Sequence, residues 1–256
     1  MTRLSASWIP AAALLALACA AKAAESSPPE PIAFEEIMPA EPGESSVRFS
    51  LEENRLAGDD SEPEASLYSV PRAQLFFGLA DRLGCDLSFP LLARKEEGGA
   101  TKAGLGDISL GLKYLLLRER EWRPALSVIA ELELPTGRRS DGLGEGSIGT
   151  AVSLGWLKNL ARTTLQGTVG YAFSGEGEEE NILYGISAAF PITSSWRLFA
   201  ELTGERDLKE NRDRIAAGPG LKYGLSEEAF IAAGFMAGLG ETAGDRRLVT
   251  QVQFGF

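Results

Sequence analysis

The chain has 256 residues, 25 Lys and Arg against 36 Asp and Glu, no histidine, and a formal net charge of −11. That length suits one large all-β domain once a processed N-terminus is set aside, and the acidic balance argues against a nucleic-acid partner, which needs clustered Lys and Arg. The missing histidine removes the usual general base, every Ser–His or Cys–His arrangement and the commonest metal ligand, so no enzyme, cofactor or metal site is expected.

Residues 1–23 read as a secretory signal. Arg3 supplies a weak positive start, Ile9 to Ala21 an apolar run, and Ala21-Lys22-Ala23 the small residues of a cleavage site. The run is too short for a transmembrane helix, which needs about 20 residues. A second reading makes Cys19 the acylated residue of a lipoprotein. Cleavage after Ala23 leaves Cys85 alone, so no intramolecular disulfide is available, and Cys85 reads as a small strand residue. Residues 24–45 are acidic and Pro-rich and are expected to be a mobile segment.

From residue 46 to 256 the pattern changes to period two. Ile148, Thr150, Val152, Leu154 and Trp156 alternate with Ser147, Gly149, Ala151, Ser153 and Gly155. The same alternation sets Ile108, Leu110, Leu112 and Tyr114 against Asp107, Ser109, Gly111 and Lys113. A helix would need apolar positions three and four apart. The alternation gives about twelve strands, of the length that crosses a membrane. They lie near 46–53, 66–78, 82–90, 106–117, 123–134, 146–157, 162–173, 181–191, 196–204, 213–223, 229–238 and 246–256. The connections alternate long and short: 54–65, 91–105, 135–145, 174–180, 205–212 and 239–245 are long and polar, and those between are tight. An antiparallel up-and-down transmembrane β-barrel with long outer loops and short periplasmic turns predicts that rhythm. The location is then the outer membrane of a Gram-negative cell, with its lipid and the barrel-assembly machinery as partners.

Charges fall on the polar face. Asp107, Lys113, Arg123, Glu131, Glu133, Glu201 and Lys222 are the expected lumen-lining residues, since a charge facing lipid costs about 2–4 kcal/mol at the mid-plane. Glu131 and Glu133, two residues apart on one face, read as wall residues that pair with Arg or Lys rather than as catalytic acids. The charges leave two uses open, a wet channel or a salt-bridged fill that only stabilises the barrel. Small inward residues such as Ser147, Gly149 and Gly218, and a girth above the eight strands that side chains can fill, favour a narrow channel. Trp122, Trp156, Tyr171, Tyr184, Trp196 and Tyr223 collect near strand ends, as aromatic residues do at a membrane–water interface. Gly104-Leu105-Gly106-Asp107 and Gly142-Leu143-Gly144-Glu145-Gly146 lack the Lys-Ser/Thr of a phosphate loop and read as turns leading into strands. In the last strand, Leu248, Thr250, Val252, Phe254 and Phe256 are set to face lipid, and Arg247, Gln251 and Gln253 the lumen.

Several of these segments resemble one family. Gly104 to Tyr114 (GLGDISLGLKY), Pro124 to Gly137 (PALSVIAELELPTG) and Gly167-Thr168-Val169-Gly170-Tyr171 are similar to strands of the phenol-degradation MetA-pathway family of outer-membrane proteins, often labelled transporters. The ending Gln253-Phe254-Gly255-Phe256 resembles the assembly signal of bacterial barrels, carried by Phe254 and Phe256. The resemblance spans residues 65–256. It implies a barrel and passive passage of small, hydrophobic or aromatic molecules. The alternative of another class is a closed structural or adhesive barrel without transport, and a third is a soluble periplasmic β-protein.

Overall fold

The computed structural model describes residues 37–56, 65–96, 99–174 and 180–256. The expected signal, with Cys19, and residues 24–36 lie outside the described residues, as do 57–64 and 175–179 of two expected loops.

The strands run in chain order as β1 (Ser45–Leu56), β2 (Ala65–Ala80), β3 (Leu83–Glu96), β4 (Lys102–Leu105), β5 (Ile108–Leu117), β6 (Ala125–Leu134) and β7 (Gly149–Asn159). They continue as β8 (Thr164–Ser174), β9 (Glu180–Pro191), β10 (Trp196–Asp207), β11 (Arg212–Gly224), β12 (Ala229–Leu239) and β13 (Arg246–Gly255). Each pairs antiparallel with its neighbours, and β13 returns to β1 from Ser46–Gly255 through Arg55–Arg246, closing the sheet. Both β4 and β5 pair with β3, so they are two parts of one wall strand interrupted at Gly106 and Asp107. There the Gly106 N–H donates to the Pro90 carbonyl at 2.8 Å. The thirteen segments therefore form a closed, twelve-stranded, up-and-down transmembrane barrel. Closure matters because no strand edge is left unpaired in hydrocarbon, where an orphaned backbone group costs several kcal/mol.

The alternation assigns the two faces. Outward positions carry exposed apolar side chains such as Phe49, Leu112, Val152, Val169, Ile186 and Leu248, an area that water would not tolerate on a soluble surface. Inward positions bury the charges: Arg48, Asp86, Lys113, Glu201 and Lys222 are all less than a tenth exposed. This inverts the usual soluble arrangement. Outward aromatics also cover gaps in the wall. Tyr184 lies over Gly204, where an added Cβ would strike its ring, and Trp156 covers Gly167 in the same way. The rings of Trp196 and Tyr223 pack at a tilt of 41° with centroids 4.6 Å apart, near the end of the barrel that carries the tight turns. Val152, half exposed on the lipid face, tests this orientation. Val152→Arg should lower barrel stability by about 2–4 kcal/mol in lipid, measured by denaturant unfolding in vesicles; an unchanged midpoint would contradict the outward assignment.

Two of the expected long connections differ. Residues 91–105 are not an open loop: β3 runs to Glu96 and β4 pairs with it, leaving only the tip between. The 205–212 connection shrinks to a turn at Leu208–Asn211, because β10 and β11 continue their ladder to Asp207–Arg212. The Asp207 carboxylate accepts the Lys209 and Glu210 N–H groups at 2.7 and 2.8 Å, and Asn211 takes a φ of 53°, a conformation Asn tolerates. Polar composition marks these two as loops, whereas cross-strand pairing carries the ladders into them. The 239–245 connection stays close to its expected bounds and holds one 3-10 turn, Gly240–Thr242.

Candidate functional site

The lumen divides into an open half, at the long-loop end, and a more filled half, at the tight-turn end, where one cavity of about 340 Å³ remains between residues 38–46, Phe230 and the turn at Glu227 and Glu228. Three cavities of about 500, 350 and 240 Å³ occupy the first, and Glu131 lines all three. The largest is bounded by β10, β11 and β13 through residues such as Glu205, Arg214 and Arg247. The 350 Å³ cavity lies between the wall of β1, β2 and β13 and the wall of β3, β5 and β6.

The 135–148 connection folds into this half instead of merely leading into β7. Asp107, in the break between β4 and β5, is buried, and its carboxylate oxygens accept the Gly137 and Glu145 N–H groups, each at 2.7 Å. Charge-assisted bonds to backbone donors are the strong kind. Gly144 packs on that carboxylate, where any Cβ would collide with it, and Leu143 is 1% exposed. The break in the strand explains the geometry: Asp107 is freed from the ladder and points at the loop, while Thr136 Oγ1 accepts from the Ile108 N–H and donates to the Gly106 carbonyl. Asp107 thus holds a loop across the lumen.

The other half is more filled. Ala189, Phe199, Phe230, Ala232 and Val249 form a buried apolar cluster on the inner face. Cations lie against its aromatic rings, with Lys222 Nζ 3.5 Å from the Phe230 centroid, Arg48 4.7 Å from Phe76 and Lys113 5.4 Å from Phe76. Such contacts keep a desolvated cation within the lumen at modest cost. Lys113 also pairs with Asp86 at 3.0 Å, and Arg48 donates to Gln253 Oε1 at 2.7 Å.

The segment ahead of β1 completes the filling. Residues 37–44, expected to range freely, dock on the barrel. Ile37 is 1% exposed, its carbonyl accepts the Ser127 hydroxyl at 2.6 Å, and its side chain fills the space that a Cβ on Gly155 would need. Pro39 and Ala40 lie against Gly84. The chain then turns, with the Gly43 N–H donating to the Gly78 carbonyl (3.0 Å) and the Gly78 N–H to that of Glu44 (2.9 Å). Gly43 takes a φ of +84° at this turn, which suits glycine. The segment therefore crosses the tight-turn mouth with Ile37 as a stopper.

The seven expected lumen residues fall into separate places. Glu131 and Glu133 line the open cavities, and Asp107 borders one while holding the loop. Lys113, Glu201 and Lys222 are buried in or beside the filled half. Arg123 precedes β6 in the tight turn, its guanidinium donating to the Arg118 carbonyl at 3.4 Å. Phe254 faces outward from β13, and Phe256 is three-quarters exposed at the chain end, with its N–H bonded to the Ser45 carbonyl. Sequence reasoning passed over Phe76, Phe199, Phe230 and Val249 because it followed charge. Their parity, shared with Arg72, Arg197 and Arg247, was the available signal. Among the described residues no cluster of three or more His, Cys, Asp or Glu could hold a metal ion.

Comparison with known proteins places this geometry. The family described as "Putative MetA-pathway of phenol degradation" matches residues 74–256. No curated protein matches the chain. Among solved structures, the COG4313 outer membrane channel from Pseudomonas putida F1 superposes with a TM-score of 0.66 at 15% identity, over 88% of this chain and all of that one. The KdgM porin in complex with disordered oligogalacturonate gives 0.52 at 11% identity, over 82% and 99%. The translocator domain of the autotransporter NalP from Neisseria meningitidis gives 0.51 at 14% identity, over 83% and 87%. At these identities the likeness is one of fold.

Proposed function

The chain belongs to the phenol-degradation MetA-pathway family, and from that membership we propose that it is an outer-membrane channel for passive passage of small, apolar or aromatic molecules. The observation that carries the reading is the set of three cavities that Glu131 borders in the loop half, with the apolar cluster and Ile37 in the turn half. A purely structural barrel has no use for a lumen of this volume beneath an infolded loop. Charges held in pairs and against rings leave the inner wall amphipathic, and so compatible with solutes that carry little net charge. The solved outer membrane channel and porin with this fold support a transport role. In this reading residues 1–23 direct export, the tight turns face the periplasm, and the assembly machinery recognises Phe256. The second reading, a closed structural barrel, draws on the filled half. Liposome swelling with the folded full chain decides between them: solute entry above that of protein-free vesicles is expected, and its absence at every solute size would support the closed barrel.

The assembly role has its own test. Deleting Phe256 should lower the outer-membrane yield of folded protein, read by heat-dependent gel mobility, more than it changes flux per folded molecule. Equal yield after the deletion would remove that role.

A further inference from the structure

The 350 Å³ cavity separates its charges by wall. Arg48, Arg72 and Arg247 border it from β1, β2 and β13, whereas Glu131, Glu133 and Glu145 border it from β6 and the infolded loop. Ion pairing does not erase this polarity. Arg247 lies 2.9 Å from Glu52 on its own side, and Lys113 answers Asp86 on the other. Arg72 projects into the cavity with its Nε buried and without a hydrogen-bond partner among the described residues. Opposite, Glu131 is largely removed from water; its carboxylate accepts the Ser109 hydroxyl and has the like charges of Asp86 and Glu133 and the opposite charge of Lys113 around it. A buried guanidinium with one unmet N–H donor, whose nearby anion is Glu52, therefore shares one cavity with a carboxylate that has other carboxylates around it. The same cavity is also lined by the apolar side chains of Leu67, Phe76, Leu92 and Leu143.

We propose that this cavity binds an amphipathic zwitterion, its carboxylate toward Arg72 and its ammonium toward Glu131, with its apolar body against Phe76 and Leu143. An ion of one sign gains at one wall and is repelled at the other; only a solute carrying both charges gains at both. The volume, near 350 Å³, is that of a small-molecule site. This names a solute class for the channel proposed above and rests on that reading, but binding is measured at equilibrium and does not depend on flux.

The test is calorimetric titration of the folded full chain in lipid nanodiscs with phenylalanine, N-acetylphenylalanine and phenylalaninamide, which share one body and differ in charge. Phenylalanine should bind roughly tenfold more tightly than either derivative, the worth of one charge-assisted contact. Arg72→Ala should bring phenylalanine down to the level of the amide, Arg72→Lys should recover part of the difference, and Glu131→Gln should bring it down to the N-acetyl compound. Equal or tighter binding of a singly charged derivative, no heat with phenylalanine, or an unchanged order in correctly folded Arg72→Ala would each overturn the proposal. A chain that binds in this order yet passes no solute would refute the channel and leave the site standing.

Discussion

Replacing Ile37 with Asp should raise single-channel conductance several-fold in planar bilayers while leaving the barrel folded. The side chain is 1% exposed and fits the gap above Gly155. Burial of an Ile contributes about 1.5–3 kcal/mol, and the Ser127 bond to its carbonyl roughly 1 kcal/mol more. Those two terms hold a segment whose other anchors, at Gly43, Gly78 and Glu44, sit at the rim. An unpaired carboxylate in the place of Ile37 would reverse the first term by several kcal/mol, enough to empty the site, since about 1.4 kcal/mol shifts such an equilibrium tenfold. Gly155→Val should act from the wall side, because its branch would occupy the same space. Neither change touches the ladder between β1 and β13, so heat-dependent gel mobility should be unchanged. Conductance equal to that of the parent in both variants would mean that the apolar cluster of Phe199 and Phe230, rather than the segment, closes the lumen.

The second large effect is expected at Asp107. Asp107→Ala removes two charge-assisted acceptors from the 135–148 loop, each worth about 1.5–3 kcal/mol. The Gly137 and Glu145 N–H groups are then left to find water. Leu143, whose burial depends on that anchorage, should leave the lumen with the loop. Arg138 and Arg139 already face solvent, so freeing the backbone around them should let trypsin cut there at least roughly tenfold faster, given the factor of ten per 1.4 kcal/mol. Asp107→Asn, which keeps one acceptor oxygen, should fall between. A cleavage rate unchanged in Asp107→Ala would show that Leu143 packing alone holds the loop, and would reduce Asp107 to a wall residue.

Strand existence and face were legible in the sequence because a period of two is a local property, and the barrel was legible in the long–short rhythm of the connections. One parity holds Leu110, Leu112, Val152 and Leu154 out and Lys113 and Glu131 in, and a one-residue slip would put charge into lipid. The extent of the ladders was less legible. Polar residues such as Arg94, Glu205 and Arg212 look like loop but continue pairing beyond the apolar band. What filled the lumen was not readable at all. Asp107 sits at a strand start by pattern, and only the break at Gly106 turns it toward the loop. Ile37 is one apolar residue in an acidic stretch, and nothing local says that it meets Gly155 more than a hundred positions away. Tertiary contacts of irregular segments fix such positions, and periodicity carries no information about them.

On the function proposed above, the lumen passes small apolar or aromatic molecules and residues 37–44 restrict its tight-turn mouth. The most direct measurement is solute uptake into proteoliposomes, run over a panel graded in size and apolarity, with the full chain beside a variant that lacks those residues. Uptake should exceed that of protein-free vesicles with an upper size limit, and rise further when the segment is absent. Folded protein that matches protein-free vesicles in both forms would contradict the claim.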